Sequence, residues 1–391
     1  METPANPFVY DRPVVPQDLV DREPELQLIL NLAESGQSAR LSAPRRFGKT
    51  TLVRKAIVEV EKQGLVGVYV DLDRVVSIDA VSERIERAYR SQLQGPVKRT
   101  AANVIRTLRP RVSVGGPGAK AELAPALEAD SRRILERILD MPFDIYAKTG
   151  RRTLVVLDEF QDVLRVGREL EGILRSHIQH QTSEASYIFA GSHPGMMLTL
   201  FSDREKPFFG QARPVELEPL EDSDLWEYIA KRFEETGRDP GDALDPLLEL
   251  VRGHPQRAML VAHHLWEATP RGRTAGLEET ARVLEAVDRE LGEWFERTWD
   301  RLNASEARVL AALSLSDETL FAERTLAHFG LTKSSAEKGR DKLLAFGDLR
   351  RDPSGTVMVV DPLFERWVQQ TQKGMRTGFL LGISRLGIDP L

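Results

Sequence analysis

The 391-residue chain has no cysteine, no long apolar run and no excess of basic charge. The first absence excludes disulfides, thiolate zinc sites and cysteine nucleophiles, and is compatible with a reducing, cytoplasmic setting. The second excludes a membrane-spanning helix, which needs about 18 or more consecutive apolar residues. Met1 to Pro16 is polar and proline-rich, without the apolar centre of a secretory leader, so no membrane partner is expected. The third absence concerns partners. A net charge of −6 does not draw nucleic acid or membrane by global attraction, so any such contact must be local. Histidine is scarce, and it is not arranged as a metal site. His177 and His180 share a helix face without a third ligand beside them, and the adjacent His263 and His264 must diverge. The composition that remains, 41% hydrophobic and 29% charged residues, is that of a globular chain of two or three domains.

One segment carries most of the chemistry. Ala43-Pro44-Arg45-Arg46-Phe47-Gly48-Lys49-Thr50-Thr51 has the spacing of a phosphate-binding loop, with alanine at the usual first glycine. A chain that wraps a phosphate must turn several consecutive N–H groups inward, and Gly48 permits the close backbone approach. Lys49 then reaches the β- and γ-phosphates, and the Thr50 hydroxyl is placed to hold Mg2+. The flanks agree. Gln37 to Ser42 reads as a strand, and Leu52, Ala56, Ile57 and Val60 recur at helical spacing until Gly64. The helix then aims its positive end at the phosphates.

Two more strand ends fit the same ligand. Thr153 to Leu157 is an apolar run of the kind buried on both faces, ending in Asp158-Glu159. Asp158 is the metal-side candidate, and Glu159 the residue to orient or deprotonate water. Ala185 to Ala190 leads to Gly191-Ser192-His193, with Ser192 the candidate for the γ-phosphate or attacking water and His193 the reserve. Strands alternating with helices make a parallel sheet covered on both faces, with ligands at the carboxyl ends of the strands.

Along the chain, residues 1–214 read as this core. A break at residues 95–125 is expected to be an insertion. It holds basic Lys98, Arg99, Arg106, Arg109 and Arg111, and a hairpin around Gly115 to Gly118 that is a candidate partner contact. After Pro214 the strands are expected to stop. Residues 215–272 read as a helical lid, in which Arg257 is placed to meet a γ-phosphate. Residues 273–302 read as a linker helix, 303–372 as a winged helix-turn-helix and 373–391 as an apolar tail that packs back. Lys333, Lys338, Arg340, Lys342, Arg350 and Arg351 sit where such a domain meets DNA phosphates, with acids interleaved. DNA is therefore one candidate partner, and a protein is another.

Taken together, Asn6-Pro7-Phe8, Val20 to Leu26, Pro44 to Thr50, Leu157-Asp158-Glu159-Phe160, Ala190-Gly191-Ser192, Gly253-His254-Pro255 and Val360 to Phe364 resemble the archaeal-type ATPases. These occur in bacteria too and lie in the AAA+ and signal-transduction branch of the P-loop NTPases. The resemblance spans nearly the whole chain. It implies an α/β P-loop NTPase with a helical lid and a C-terminal winged helix, taking ATP and Mg2+. It also implies that Phe8 and the Asp21-Arg22-Glu23 segment border the adenine, that Asp158 and Glu159 serve metal and water, and that Ser192 is a sensor. The family often has an arginine near Phe208 to Gln211, and this chain has none there; Arg204 or Arg213 are the nearby substitutes, and an oligomer is compatible with an arginine supplied in trans. The expected function is an ATPase acting as a conformational switch. The alternatives are a nucleotide-gated DNA-binding module with little hydrolysis, or a translocase, since Asp158 to Asp162 also resembles superfamily-one helicases.

Overall fold

A computed structural model describes residues 5–12, 19–108, 123–352 and 354–371. Its contacts divide the chain into two bodies. One holds residues 15–43 and 49–217, and the other residues 1–14, 44–48 and 218–391.

The first body is built on five parallel strands: β1 (Ala39–Ser42), β2 (Val66–Asp71), β3 (Thr153–Asp158), β4 (Ala185–Gly191) and β5 (Arg213–Glu216), in the order β2-β3-β4-β1-β5. Every residue of β3 and β4 is buried, which requires cover on both faces. Each valine or leucine so enclosed contributes roughly 1.5–3 kcal/mol. The helix Lys49–Lys62 buries Leu52, Val53, Ala56 and Val60, and the helix Ile78–Gln92 starts at Ser77, whose hydroxyl accepts from the Ala80 N–H. Register decides what meets at the strand ends. Ser42 lies opposite Gly191, and Asp71 opposite Asp158. The order places β4 between the strand that feeds the phosphate loop and the strand that ends in Asp158.

Two expectations need correction. The strands do not stop at Pro214, because β5 runs to Glu216 as an edge strand with only Val215 buried. An edge tolerates Pro214 and polar neighbours, so the alternating apolar signal was missing. The break expected from residue 95 is instead the helix Gly95–Leu108, which buries Val97, Ala101, Val104 and Ile105 in the core. The expected hairpin around Gly115, with Arg109 and Arg111, and the apolar tail after residue 372 lie outside the described residues.

The second body contains the helices Asp222–Glu235, Leu244–Val251, Pro255–Ala268 and Leu277–Asp300. The helices Ala304–Leu315, Glu323–His328 and Lys333–Phe346 come next, then an antiparallel hairpin, β6 (Leu349–Arg351) and β7 (Val357–Val359). Three helices and a hairpin in that sequence have the element order of a winged helix. The long helix Leu277–Asp300 packs Phe295 on Phe364 at 5.4 Å between ring centroids.

Candidate nucleotide site

In the sheet body the loop begins where β1 ends. Ala43 N–H donates to the Gly191 carbonyl at 3.4 Å, and the buried Lys49 Nζ donates to the Ala43 carbonyl at 2.7 Å. Gly48 has φ +86°, and a Cβ there would meet no atom within 4 Å. The glycine is therefore required by conformation, and the space beside it stays open. Thr51 is buried and Thr50 half-buried.

Across the strand ends, Asp158 is buried with both oxygens engaged. Oδ2 accepts from the Tyr69 hydroxyl at 2.5 Å, and Oδ1 from the Glu159 N–H at 2.9 Å. Burial pushes the Asp158 carboxyl above its ordinary value, against the opposing pull of the Tyr69 hydroxyl and of Lys49. Glu159 stands in the left-handed region at φ 52°, a conformation that costs a non-glycine residue of order 1 kcal/mol or more. Its Oε2 accepts from the Ser192 hydroxyl and from the Gln161 amide, each at 2.6 Å. Gly191 makes room for this arrangement, since a Cβ there would lie 2.6 Å from Gln161 Oε1 and 2.4 Å from Met197 Sδ. Lys49, Asp158, Glu159 and Ser192 are thus gathered at adjoining strand ends. His193 has a buried Nδ1 and caps no helix with its side chain.

These groups suit a phosphate and a divalent cation. A buried ammonium and an open glycine turn fit the anion; a strand-end carboxylate and a threonine hydroxyl are hard oxygen donors for the metal.

In the second body, the remaining loop residues meet the helices. Phe47 is buried, with its ring edge-on to His254 at 5.0 Å. Arg46, at φ 69°, sets its guanidinium 5.1 Å from the Trp294 ring centroid, and Arg45 is close enough to Asp348 to favour its charge. His254 caps the helix Pro255–Ala268 by accepting from the Arg257 N–H at 3.3 Å. Burial, aided by the Arg257 and Arg46 cations, lowers its pKa to about 4, so the ring is neutral. Arg257, expected to face a phosphate, is fully buried and paired with Asp361. Of the two adenine-side candidates, Phe8 is buried against Phe233 in this body, with centroids 5.5 Å apart. Arg22 belongs to the sheet body, where it pairs with Glu25 at 3.1 Å.

The basic residues of the C-terminal elements divide. Arg340 is bonded to Asp341 at 2.7 Å, Lys342 to Glu306 at 2.5 Å and Arg350 to Glu218 at 3.4 Å. Among the described residues, Lys333 and Lys338 are exposed without an ion pair, and Arg351 donates only to the Gly355 carbonyl. His177 is bonded to Asp140, His263 to the Phe8 carbonyl and His264 to Glu290. No helix among the described residues is long and apolar enough to cross a membrane.

Sequence reasoning missed Tyr69 and Gln161 as partners of the strand-end acids, and, in the other body, Trp294 and Asp361 as partners of Arg46 and Arg257. Gln161 had a usable signal, since it stands two residues after the acid pair. Asp361 lies in a segment that carries the family resemblance, though its partner could not be read from it, and Tyr69 and Trp294 meet their partners only through the fold.

Comparison with known proteins agrees with this geometry. A family model described as "ATPase domain predominantly from Archaea" matches residues 19–260. A Walker-type ATPase of Pyrococcus abyssi, PABY2304, superposes with a TM-score of 0.66 at 17% identity, covering 93% of this chain and 99% of that one. The ORC2 protein of Aeropyrum pernix, solved as ADPNP–ADP complexes, gives a TM-score of 0.56 at 15% identity, over 95% and 99% of the two chains. Its ADP form gives 0.51 at 16%, over 93% and 97%. None of the curated proteins matches. At these identities the solved structures speak for the fold, an α/β P-loop NTPase. The family match spans well over half of the chain and agrees with the loop, the strand order and the strand-end acids, so the chain belongs to the family of ATPase domains found predominantly in Archaea.

Proposed function

We propose that the protein binds ATP with Mg2+ and hydrolyses it slowly, as a switch that acts on its lid and C-terminal helices. The reading is carried by the strand-end set, in which Glu159 and Ser192 are joined at 2.6 Å beside the buried Asp158 and Lys49. Lys49 neutralises the phosphates, Thr50 and Asp158 hold the metal, and Glu159 takes the proton of the attacking water, with Ser192 reporting on its position. Bound Mg2+ would supply charge neutralisation on the phosphate oxygens. The signal would leave through the loop, since Phe47 packs on His254, Arg46 lies over the Trp294 ring and the Arg45 charge acts on Asp348.

One observation favours a second reading. Glu159 is tied to Ser192 and Gln161 in a left-handed backbone, a state in which its carboxylate is occupied. A nucleotide-gated binding module with little hydrolysis would rest in that state. A translocase would need a second core, and the described residues contain one parallel sheet.

The test is nucleotide binding and phosphate release on three proteins. Lys49→Ala is expected to lose ATP binding by about 100-fold, as removal of a charged partner to phosphate should. Glu159→Gln is expected to bind ATP as the wild type does and release phosphate at least ~100-fold more slowly, the scale of a lost general base. Equal, negligible release from wild type and Glu159→Gln would select the gated module, and normal turnover by Lys49→Ala would refute both readings.

A further inference from the structure

We infer that Tyr69 is a positioning residue for the metal ion, holding the Asp158 carboxylate in a fixed orientation for the cation that accompanies the nucleotide. The inference rests on the ATPase reading and adds to it a residue on the edge strand of the same sheet.

All the residues concerned belong to the sheet body. Register brings Tyr69 and Asp158 together. β2 and β3 run parallel, with Asp71 opposite Asp158 and Tyr69 opposite Val156. Tyr69 therefore starts two residues short of the acid, roughly 6.6 Å along a parallel strand. A phenol leaning along the strand spans that gap and ends in a single donor. Its hydroxyl donates to Asp158 Oδ2 at 2.5 Å. Two further contacts hold the phenol in place. Gln92, the last residue of the helix Ile78–Gln92, closes on the Tyr69 backbone. Its Oε1 accepts from the Tyr69 N–H at 2.8 Å, and its Nε2 donates to the Tyr69 carbonyl at 2.7 Å. That amide replaces the neighbour that an edge strand lacks. Arg54 sets its guanidinium 5.8 Å from the Tyr69 ring centroid. Arg54 follows Thr50 by four residues on the helix Lys49–Lys62, so the face that carries the Thr50 hydroxyl also carries the cation beside the phenol.

The consequence falls on Asp158. An ionised carboxylate offers about four acceptor positions. One on Oδ2 is taken by the Tyr69 hydroxyl and one on Oδ1 by the Glu159 N–H. A donor on each oxygen stops rotation of the group, and an electron pair on each oxygen is left over. With the Glu159 N–H alone, the carboxylate would be free to swing. Mg2+ demands oxygen ligands in near-ideal octahedral directions, so a carboxylate that swings is a poorer ligand than one that is held. Holding β2 to β3 is not what the hydroxyl is needed for, because the backbone ladder joins the two strands from Val66 to Asp71. A donor that fixes a metal ligand from behind typically matters by about 10- to 100-fold in metal affinity.

The measurement is Mn2+ affinity, by electron paramagnetic resonance, of full-length protein saturated with a non-hydrolysable ATP analogue. It is made on wild type, Tyr69→Phe, Asp158→Asn and the double variant, and the affinity for the analogue in EDTA is measured beside it. Tyr69→Phe keeps the ring and removes only the donor. It is expected to weaken Mn2+ binding by about tenfold, while the metal-free affinity for the analogue changes under ~3-fold. That second number also checks that the variant is folded. In the Asp158→Asn background, adding Tyr69→Phe is expected to change Mn2+ affinity by less than ~2-fold, because the two residues act as one unit. Unchanged Mn2+ affinity in Tyr69→Phe would overturn the inference, as would an equal loss in EDTA, which is a general defect of the fold. So would the same tenfold loss without the Asp158 carboxylate, or tighter Mn2+ binding, which would mean that the hydroxyl competes with the metal. If wild type does not bind the analogue, or Asp158→Asn holds Mn2+ as wild type does, the ATPase reading or its metal ligand has failed as well.

Discussion

His254 shows how far a single residue can be read physically. Its ring is buried beside two arginines, and its pKa falls from 6.5 to about 4. In the unfolded chain the imidazole takes a proton as pH drops below about 6.5, whereas the folded chain refuses it until about pH 4. The unfolded state then binds more protons, so stability falls as pH falls through that window. About 3 kcal/mol is lost between pH 6.5 and 4 on this account, and none of it between pH 7 and 9. Urea midpoints measured at steps across this range should show the fall, and His254→Gln should flatten it. The residues of the site that could be read from sequence are those whose role is set by neighbours along the chain. Lys49 and Gly48 are of this kind, and so is the Asp158-Glu159 pair at the end of an apolar run. Tyr69 was not, because its hydroxyl meets Asp158 only after β2 pairs with β3 in the register that sets Tyr69 opposite Val156.

At the scale of elements, caps and edges explain both what was legible and what was not. The helix Ala304–Leu315 opens with a reciprocal cap. Asn303 Oδ1 accepts from the Ser305 and Glu306 N–H groups at 3.0 Å each, and Glu306 accepts from the Asn303 N–H at 3.1 Å. The pattern Asn-x-x-Glu announces it in the sequence. Asn303→Ala is expected to cost about 1 kcal/mol, read as a lower urea midpoint, with ATP affinity unchanged. The edge strand β5 and the helix Gly95–Leu108 were misread for opposite reasons. The strand is short, polar and carries Pro214, so it lacks a periodic signal. The helix has a periodic apolar face in Val97, Ala101, Val104 and Ile105, but Gly95-Pro96 and the basic residues around it resemble a loop. Burial in the core, a property of packing, decides that case.

For the whole molecule, charge is the property that separates candidate partners. The net charge is −6, and three of the six basic residues expected to face DNA are bonded to acids of the same body. Lys333, Lys338 and Arg351 remain to neutralise phosphates. Three contacts imply a slope of about −3 in log affinity against log salt, and weak binding at physiological salt. Fluorescence anisotropy with a short duplex, from about 50 to 200 mM salt, checks this, and a combined Lys333→Ala/Lys338→Ala variant should bring the slope to about −1. A slope near about −6 would mean that the paired residues leave their acids to bind DNA.

The sequence by itself determined the ligand class, the parallel α/β core and the helical character of the chain beyond β5, because backbone conformation and hydrophobic period are local properties. Only the tertiary structure decided which side chains become partners within each body. In the sheet body Asp158 receives Tyr69 and Glu159 is tethered by Ser192; in the other body Arg257 is claimed by Asp361, 104 residues away along the chain. Such partnerships arise because buried charges and donors must find acceptors wherever packing brings them, and that requirement leaves no mark on adjacent residues.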